Sequence, residues 1–224
     1  MNVGNKVCSV CGKEKESKYI EFANIFVYIE CECEKQNRLE KEKSDMDFAH
    51  KTAVKLRNKS SNLSPLNQKA SFTTMAIDNE NEKGVKAGKY ILDFLLKDKN
   101  DIPKNSLVLQ GNRGSGKTFV ASAVINDFNC KYPVSESRLK RIIKERNNCF
   151  CEMDFSPINS PVKFINEMDL FALYYDNFNY YKTDGPIQEF KCAEKLLVID
   201  DVGSSNFDTN KLQALYYNVF EYRY

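Results

Sequence analysis

Apolar positions along this 224-residue chain change their period several times, and each change predicts an element. The stretch Tyr19-Ile-Glu-Phe-Ala-Asn-Ile-Phe-Val-Tyr-Ile29 is dense in aromatic and β-branched residues and predicts a small β-hairpin. Residues 35–61 contain neither Pro nor Gly and carry sparse apolar positions among many charges, as a solvated helix or linker would. A boundary follows at Ser60-Ser-Asn-Leu-Ser-Pro65. Val85, Tyr90, Ile91, Phe94 and Leu95 then recur at helical spacing, and Asp101-Ile-Pro103 ends that helix. Leu107-Val-Leu109 predicts a buried strand, a glycine cluster turns the chain, and Phe119 to Phe128 predicts a helix. Further strands are predicted at Val162 to Ile165 and Leu196 to Ile199, with the helical, aromatic-rich Met168 to Tyr181 between them. Alternating strands and helices predict an α/β fold with a parallel sheet and flanking helices.

Composition changes this picture little. There are 33 Lys and Arg against 31 Asp and Glu, a formal net charge of +2, so no global field selects nucleic acid or a membrane as partner. Nine glycines exclude a Gly-rich low-complexity chain. The amino terminus lacks a signal-peptide core, and no apolar run approaches the roughly 18 residues that span a bilayer, so a soluble, cytoplasmic protein without membrane contact is expected. In a reducing cytosol, clustered thiols more often bind metal or are buried than form disulfides.

Candidate chemistry sits where scarce residues cluster. Gly111-Asn112-Arg113-Gly114-Ser115-Gly116-Lys117-Thr118 matches G-x-x-x-x-G-K-[ST] at every fixed position, between a predicted strand and a predicted helix that opens with Phe119. Glycines let backbone N–H groups converge on phosphate oxygens, and the helix amino terminus adds a favourable dipole. Lys117 would reach the β and γ phosphates of ATP, and the Thr118 hydroxyl would ligate Mg²⁺. The alternative is a Gly-rich turn that merely contains Lys. Downstream, Leu196-Leu-Val-Ile-Asp200-Asp201 ends an apolar strand in two carboxylates: Asp200 to hold Mg²⁺ through its water shell, Asp201 where a base could orient the attacking water. Alone, an apolar strand ending in Asp is weakly specific, but paired with the glycine loop it is a strong signal; the alternative is a strand that ends at a solvated Asp-Asp turn.

Cys8-x-x-Cys11 and Cys31-x-Cys33 enclose 19 residues, close to a two-knuckle zinc spacing with the second knuckle one residue short. Four thiolates on a module of about 35 residues, too small for a self-sufficient core, would close a structural Zn²⁺ site; the alternative is unligated thiols. Cys130, Cys149, Cys151 and Cys192 are dispersed apart from the pair Cys149-x-Cys151, and read as packing or surface thiols rather than as a second site. Arg138 to Arg146 is a basic helical run, either a solvated face or a contact for a nucleic-acid backbone. Phe171, Tyr174, Tyr175, Phe178, Tyr180 and Tyr181 read as core or as a platform for single-stranded bases. His50, the only histidine, reads as a solvated side chain.

The amino-terminal C-x-x-C…C-x-C knuckle, the charged helix, GNRGSGKT and LLVIDDVG together resemble the DnaC/DnaI-type helicase loaders, the IstB-like branch of the AAA+ ATPases. Softer matches are Ser71-Phe72, Val162-Lys-Phe-Ile165 with Glu-Met-Asp-Leu170, and Leu215 to Tyr224. The resemblance implies a zinc-knuckle module over 1–34, a charged helical linker over 35–66 and a P-loop NTPase core of AAA+ type over 67–224. It also implies contact with a ring-shaped replicative helicase of DnaB type, binding of single-stranded DNA, and ATP-dependent self-assembly. The function implied is ATP-driven loading of that helicase during DNA replication; an IstB-like transposition helper and a non-catalytic zinc- and ATP-binding adaptor are the alternatives. The family's next elements, a strand with a polar sensor residue and an arginine acting on a neighbour's ATP, are missing after Tyr224. A carboxy-terminally truncated reading frame of low stability is therefore expected.

Overall fold

The computed structural model describes residues 6–79, 81–97, 107–147, 160–180, 187–191, 193, 195–204 and 206–221, the side chains of 176–180, 189 and 191 excepted. The chain divides into two compact units, Met1–Lys51 with Glu136–Cys151, and Thr52–Ser135 with Glu152–Tyr224.

In the first unit, β1 (Ser17–Ile20) and β2 (Ile25–Tyr28) form the antiparallel hairpin that the aromatic and β-branched run predicts, in register Ser17 to Tyr28. A short 3₁₀ turn over Glu21–Ala23 and a left-handed Asn24 (φ 51°) reverse the chain; Asn tolerates that conformation because its short side chain bonds locally, and here Asn24 Oδ1 accepts from the Tyr19 hydroxyl at 2.6 Å. Helix α1 (Glu32–Ser60) follows at once, with Arg38 bonded to Glu30 and Glu42. The basic run lies within a helix, numbered α4 in chain order (Glu136–Asn147). Its Leu139 and Ile142 are buried, while Lys140 and Arg141 pair with Glu136 and Glu145 of the same helix and Arg146 pairs with Asp45. That distribution is the solvated-face arrangement. His50 is exposed, and Cys130 is a free, exposed thiol; Cys149, Cys151 and Cys192 lie outside the described residues.

The second unit is built on a parallel pair, β3 (Val162–Asn166) and β4 (Leu196–Asp200), in register from Val162–Leu196 to Asn166–Asp200. Side chains alternate across it, so each face of the pair builds its own core. Val162 and Phe164, with Leu196 and Val198, pack with residues of α2 (Glu82–Leu96) and α3 (Lys117–Lys131) around Leu92, Leu95, Val124, Ile125 and Phe128. Ile165, with Leu197 and Ile199, packs with α5 (Glu167–Tyr180), α6 (Gln188–Lys191) and α7 (Thr209–Glu221) around Leu170, Phe190, Leu215 and Val219. Helices thus cover both faces, the arrangement that parallel strands need. Phe171 stacks on Phe207 at 3.7 Å and joins this second core with Tyr174, so these aromatics are packing residues; the side chains of Phe178 and Tyr180, and all of Tyr181, lie outside the description.

Two features depart from the sequence expectation. Residues 107–110 form no strand, and Val108 is 82 % exposed. Among the described residues β4 pairs only with β3, so the Leu107–Leu109 segment has no ladder to join; without cross-strand partners β-propensity alone does not fix a strand. Arg57, one of the charges of the expected solvated helix, is instead buried. Its guanidinium donates to the carbonyls of Tyr132 (2.6 Å) and Pro133 (2.8 Å), just past the end of α3, where a cation meets the negative end of the helix.

Contact between α2 and α3 turns on one glycine. A Cβ on Gly88 would lie 2.7 Å from Val120 Cγ1 and 2.9 Å from Phe72 Cζ, whereas a Cβ on Gly84 would meet Val120 Cγ2 at an ordinary 3.9 Å. Gly88→Ala should cost about 1–3 kcal/mol by overpacking, while Gly84→Ala should be neutral or stabilising by up to about 1 kcal/mol through helix propensity. Paired denaturant titrations check this; equal effects at the two positions would contradict the packing.

Candidate nucleotide and metal sites

Residues 111–118 form a turn that closes onto the first residue of α3. Gly114 (φ 85°) and Gly116 (φ 81°) both take left-handed backbone, and Gly116 is the residue from which α3 starts. At Gly116 a side chain would be strained by its φ and would also press on Met75 Cε at 3.3 Å. This turn explains why α3 begins at Lys117, two residues earlier than apolar spacing predicts. The N–H groups of a helix's first turn have no acceptor within the helix, so α3 opens on a set of donors suited to an anion.

Side chains complete the arrangement. Lys117 Nζ donates to the carbonyls of Gly111 (3.0 Å) and Asn112 (2.9 Å), which holds the ammonium over the turn. Thr118 Oγ1 donates to Asp200 Oδ2 at 2.7 Å, joining the turn to the end of β4 across 82 residues of sequence. Asp200 lies at the carboxyl end of the parallel pair, in register with Asn166, where open α/β sheets place their ligands. Asp201 is exposed at φ 55° and begins a turn closed by the Ser204 N–H on its carbonyl at 3.1 Å. Arg113 is exposed with Asn112 at the apex of the loop, and Phe119 is half-buried in the first turn of α3.

Sequence reasoning missed Met75 and Glu167. Asp127 of α3 accepts from the Ser71 hydroxyl (2.8 Å) and the Phe72 N–H (3.3 Å), and so anchors the segment that brings Met75 against Gly116. Ser71-Phe72 was the only sequence sign of it. Glu167, first residue of α5, is 1 % exposed and accepts from the Gly203 N–H at 3.0 Å and from the Tyr216 hydroxyl. An acidic residue in a helix's first turn is ordinary in sequence, and the soft match Glu-Met-Asp-Leu170 that contains Glu167 gave it no role. Burial and the neighbouring Glu167 carboxylate push the Tyr216 phenol above its usual range.

The first unit holds the second constellation. The sulfurs of Cys8, Cys11, Cys31 and Cys33 all lie within 4.8 Å of one another, so these four cysteines form a cluster that can hold a metal ion such as zinc. Tetrahedral thiolates at about 2.3 Å from zinc stand about 3.8 Å apart; Cys11 and Cys31 are 3.9 Å apart and Cys8 and Cys33 3.4 Å. Cys31 and Cys33 are closer, at 2.7 Å, and an ion would spread that edge. The Val10 N–H points at Cys8 Sγ (3.4 Å), and Gly12 (φ 71°) turns the chain after Cys11. Cys31 immediately precedes α1 and Cys33 is in its first turn, where the helix favours thiolate. Contact with Cys33 holds the Cys31 thiol below its usual range and drives that of Cys33 upward, the pattern of crowded sulfurs sharing protons. Lys15, bonded to Glu34 at 2.7 Å, adds positive charge near Cys8 and Cys31.

Among the described residues no helix is long and apolar enough to cross a membrane. Comparison with protein-family models, with curated proteins and with solved structures finds no match to this chain.

Proposed function

We propose that this chain is an ATP-binding, ATP-hydrolysing protein of P-loop, AAA+-like type, with a structural zinc knuckle, that acts as a helicase loader in DNA replication. The observation that carries the nucleotide reading is the 2.7 Å contact between Thr118 and Asp200. It puts a hydroxyl and a carboxylate, the two protein groups that such a site contributes to Mg²⁺, side by side at the mouth of the glycine turn. Magnesium bound with the nucleotide neutralises charge on the β and γ phosphates. Gly114, Ser115, Gly116, Lys117 and Thr118 offer backbone N–H groups to the phosphates, Lys117 exchanges the carbonyls of Gly111 and Asn112 for phosphate oxygens, and Asp201 orients the attacking water. The zinc reading rests on the convergence of Cys8, Cys11, Cys31 and Cys33.

The loader assignment rests on the sequence resemblance, and with it the ring helicase, the single-stranded DNA and the ATP-dependent self-association. The test is co-purification of this chain with the host replicative helicase, with and without ATP, beside a turnover assay with and without single-stranded DNA. The reading predicts helicase capture that Cys31→Ser abolishes, and turnover that the DNA stimulates. Capture of a transposase instead would assign a transposition helper, and tight ATP binding without turnover would assign an adaptor.

A further inference from the structure

Asp201 stands in a left-handed conformation (φ 55°), which a residue with a side chain adopts uncommonly. Such a residue persists only where its surroundings over-determine it. Its own turn supplies part of that constraint: the Ser204 N–H closes on the Asp201 carbonyl at 3.1 Å, and Gly203 takes φ 79° at the third position, where a type II turn needs a positive value. The rest comes from Glu167. In the parallel register Asn166 faces Asp200, so Glu167 follows β3 at the level where Asp201 follows β4. Its carboxylate, buried at 1 % exposure, accepts the Gly203 N–H at 3.0 Å through Oε2 and the Tyr216 hydroxyl through Oε1. A hydrogen bond in a buried place is electrostatically stronger than one in water. Asn166 fixes the start of α5 by accepting the Asp169 N–H at 2.7 Å and donating to the Asp169 carboxylate at 2.6 Å, so the latch is mounted on a firm base.

We propose that Glu167 is a positioning residue: it locks the turn that carries Asp201 and, through Tyr216, ties that turn to α7, so that nucleotide hydrolysis depends on the latch while nucleotide binding does not. This rests on the hydrolytic reading above. The nucleotide-holding groups Lys117, Thr118 and Asp200 lie on α3 and β4 and have none of their bonds to Glu167 among those described. A displacement of α7 would therefore reach Asp201 first and leave the phosphate loop in place.

The test uses the full chain with Glu167→Ala, Glu167→Gln and Tyr216→Phe. Amide hydrogen exchange at Gly203, ATP affinity and turnover are read on each. Glu167→Ala should raise Gly203 exchange at least tenfold and lower kcat ten- to a hundredfold, with ATP affinity within about threefold of the unaltered chain. Glu167→Gln should recover most of both, since its amide oxygen can accept from Gly203 while its NH₂ donates to the Tyr216 oxygen. Tyr216→Phe, which leaves the Gly203 N–H bonded to Glu167, should lower kcat three- to tenfold at unchanged affinity. It carries the test if Glu167→Ala does not fold. Turnover unchanged in Tyr216→Phe and Glu167→Ala, or affinity falling in step with turnover, overturns the latch. Absence of hydrolysis by the unaltered chain overturns the hydrolytic reading itself, and Gly203 exchange that Glu167→Ala leaves unchanged shows that the latch does not hold the turn.

Discussion

Chelating the metal from the cysteine cluster should unfold the amino-terminal hairpin. This module buries little apolar surface of its own: Phe22 is 95 % exposed, and Ile25, Phe26 and Val27 are exposed as well. A four-residue β-ladder of that kind is marginal alone. Zinc binding to structural thiolate and imidazole sites supplies apparent free energies of about 10–16 kcal/mol at neutral pH, which is then folding free energy. One equivalent of zinc should be released per chain, and the cross-strand amides of Ser17–Ile20 and Ile25–Tyr28 should lose protection together. Cys31→Ser should reproduce this, because Cys31 touches both Cys8 (3.1 Å) and Cys33 (2.7 Å). The parallel pair of β3 and β4, cored by Phe128, Phe190 and Leu215, contains none of the four cysteines and should keep its own protection. Hairpin amides that stay protected in metal-free protein would contradict the structural role.

Lys117→Ala should lower ATP turnover at least about a hundredfold, the scale on which removal of one preorganised donor acts on a developing charge. Asp200→Asn should do the same by a separable route. Its amide oxygen can still accept from Thr118, so the 2.7 Å contact and the local fold survive. What is lost is the negative charge that would face Mg²⁺ in the proposed site. The affinity for ATP with Mg²⁺ should fall about tenfold or more, while that for ATP without metal should be unchanged or rise, because one repelling carboxylate is gone. In the proposed site the Thr118 hydroxyl serves the same ion, so Thr118→Ala combined with Asp200→Asn should cost much less than the sum of the two. Full additivity would mean that the two groups serve different ends.

The elements legible in sequence were those with a local cause. The aromatic run at Tyr19–Ile29 became the β1–β2 hairpin, Val162–Ile165 and Leu196–Ile199 became the parallel pair, and the glycine cluster became the turn ahead of α3. The convergence of the four cysteines and the closeness of Thr118 and Asp200 were also readable, because the chemistry proposed for those motifs needs those residue types together. What was not readable depends on partners distant in sequence. Leu107–Leu109 has the composition of a strand but, among the described residues, no ladder to join. Arg57 looks like one charge among many until Tyr132 and Pro133 present their carbonyls to it. Glu167 looks like an ordinary first-turn acid until Gly203 and Tyr216 close on it. Ala49 and Ala53, fully buried on α1, carry too little apolar surface to reveal a buried face by periodicity.

The most direct measurement is a calorimetric titration of the purified chain with a slowly hydrolysed ATP analogue, with and without Mg²⁺, beside Asp200→Asn. The account predicts one binding site per chain, an affinity that Mg²⁺ raises at least tenfold, and loss of that increment in Asp200→Asn. Absence of binding, or binding that neither Mg²⁺ nor Asp200→Asn alters, would contradict a nucleotide site formed by the glycine turn, Thr118 and Asp200.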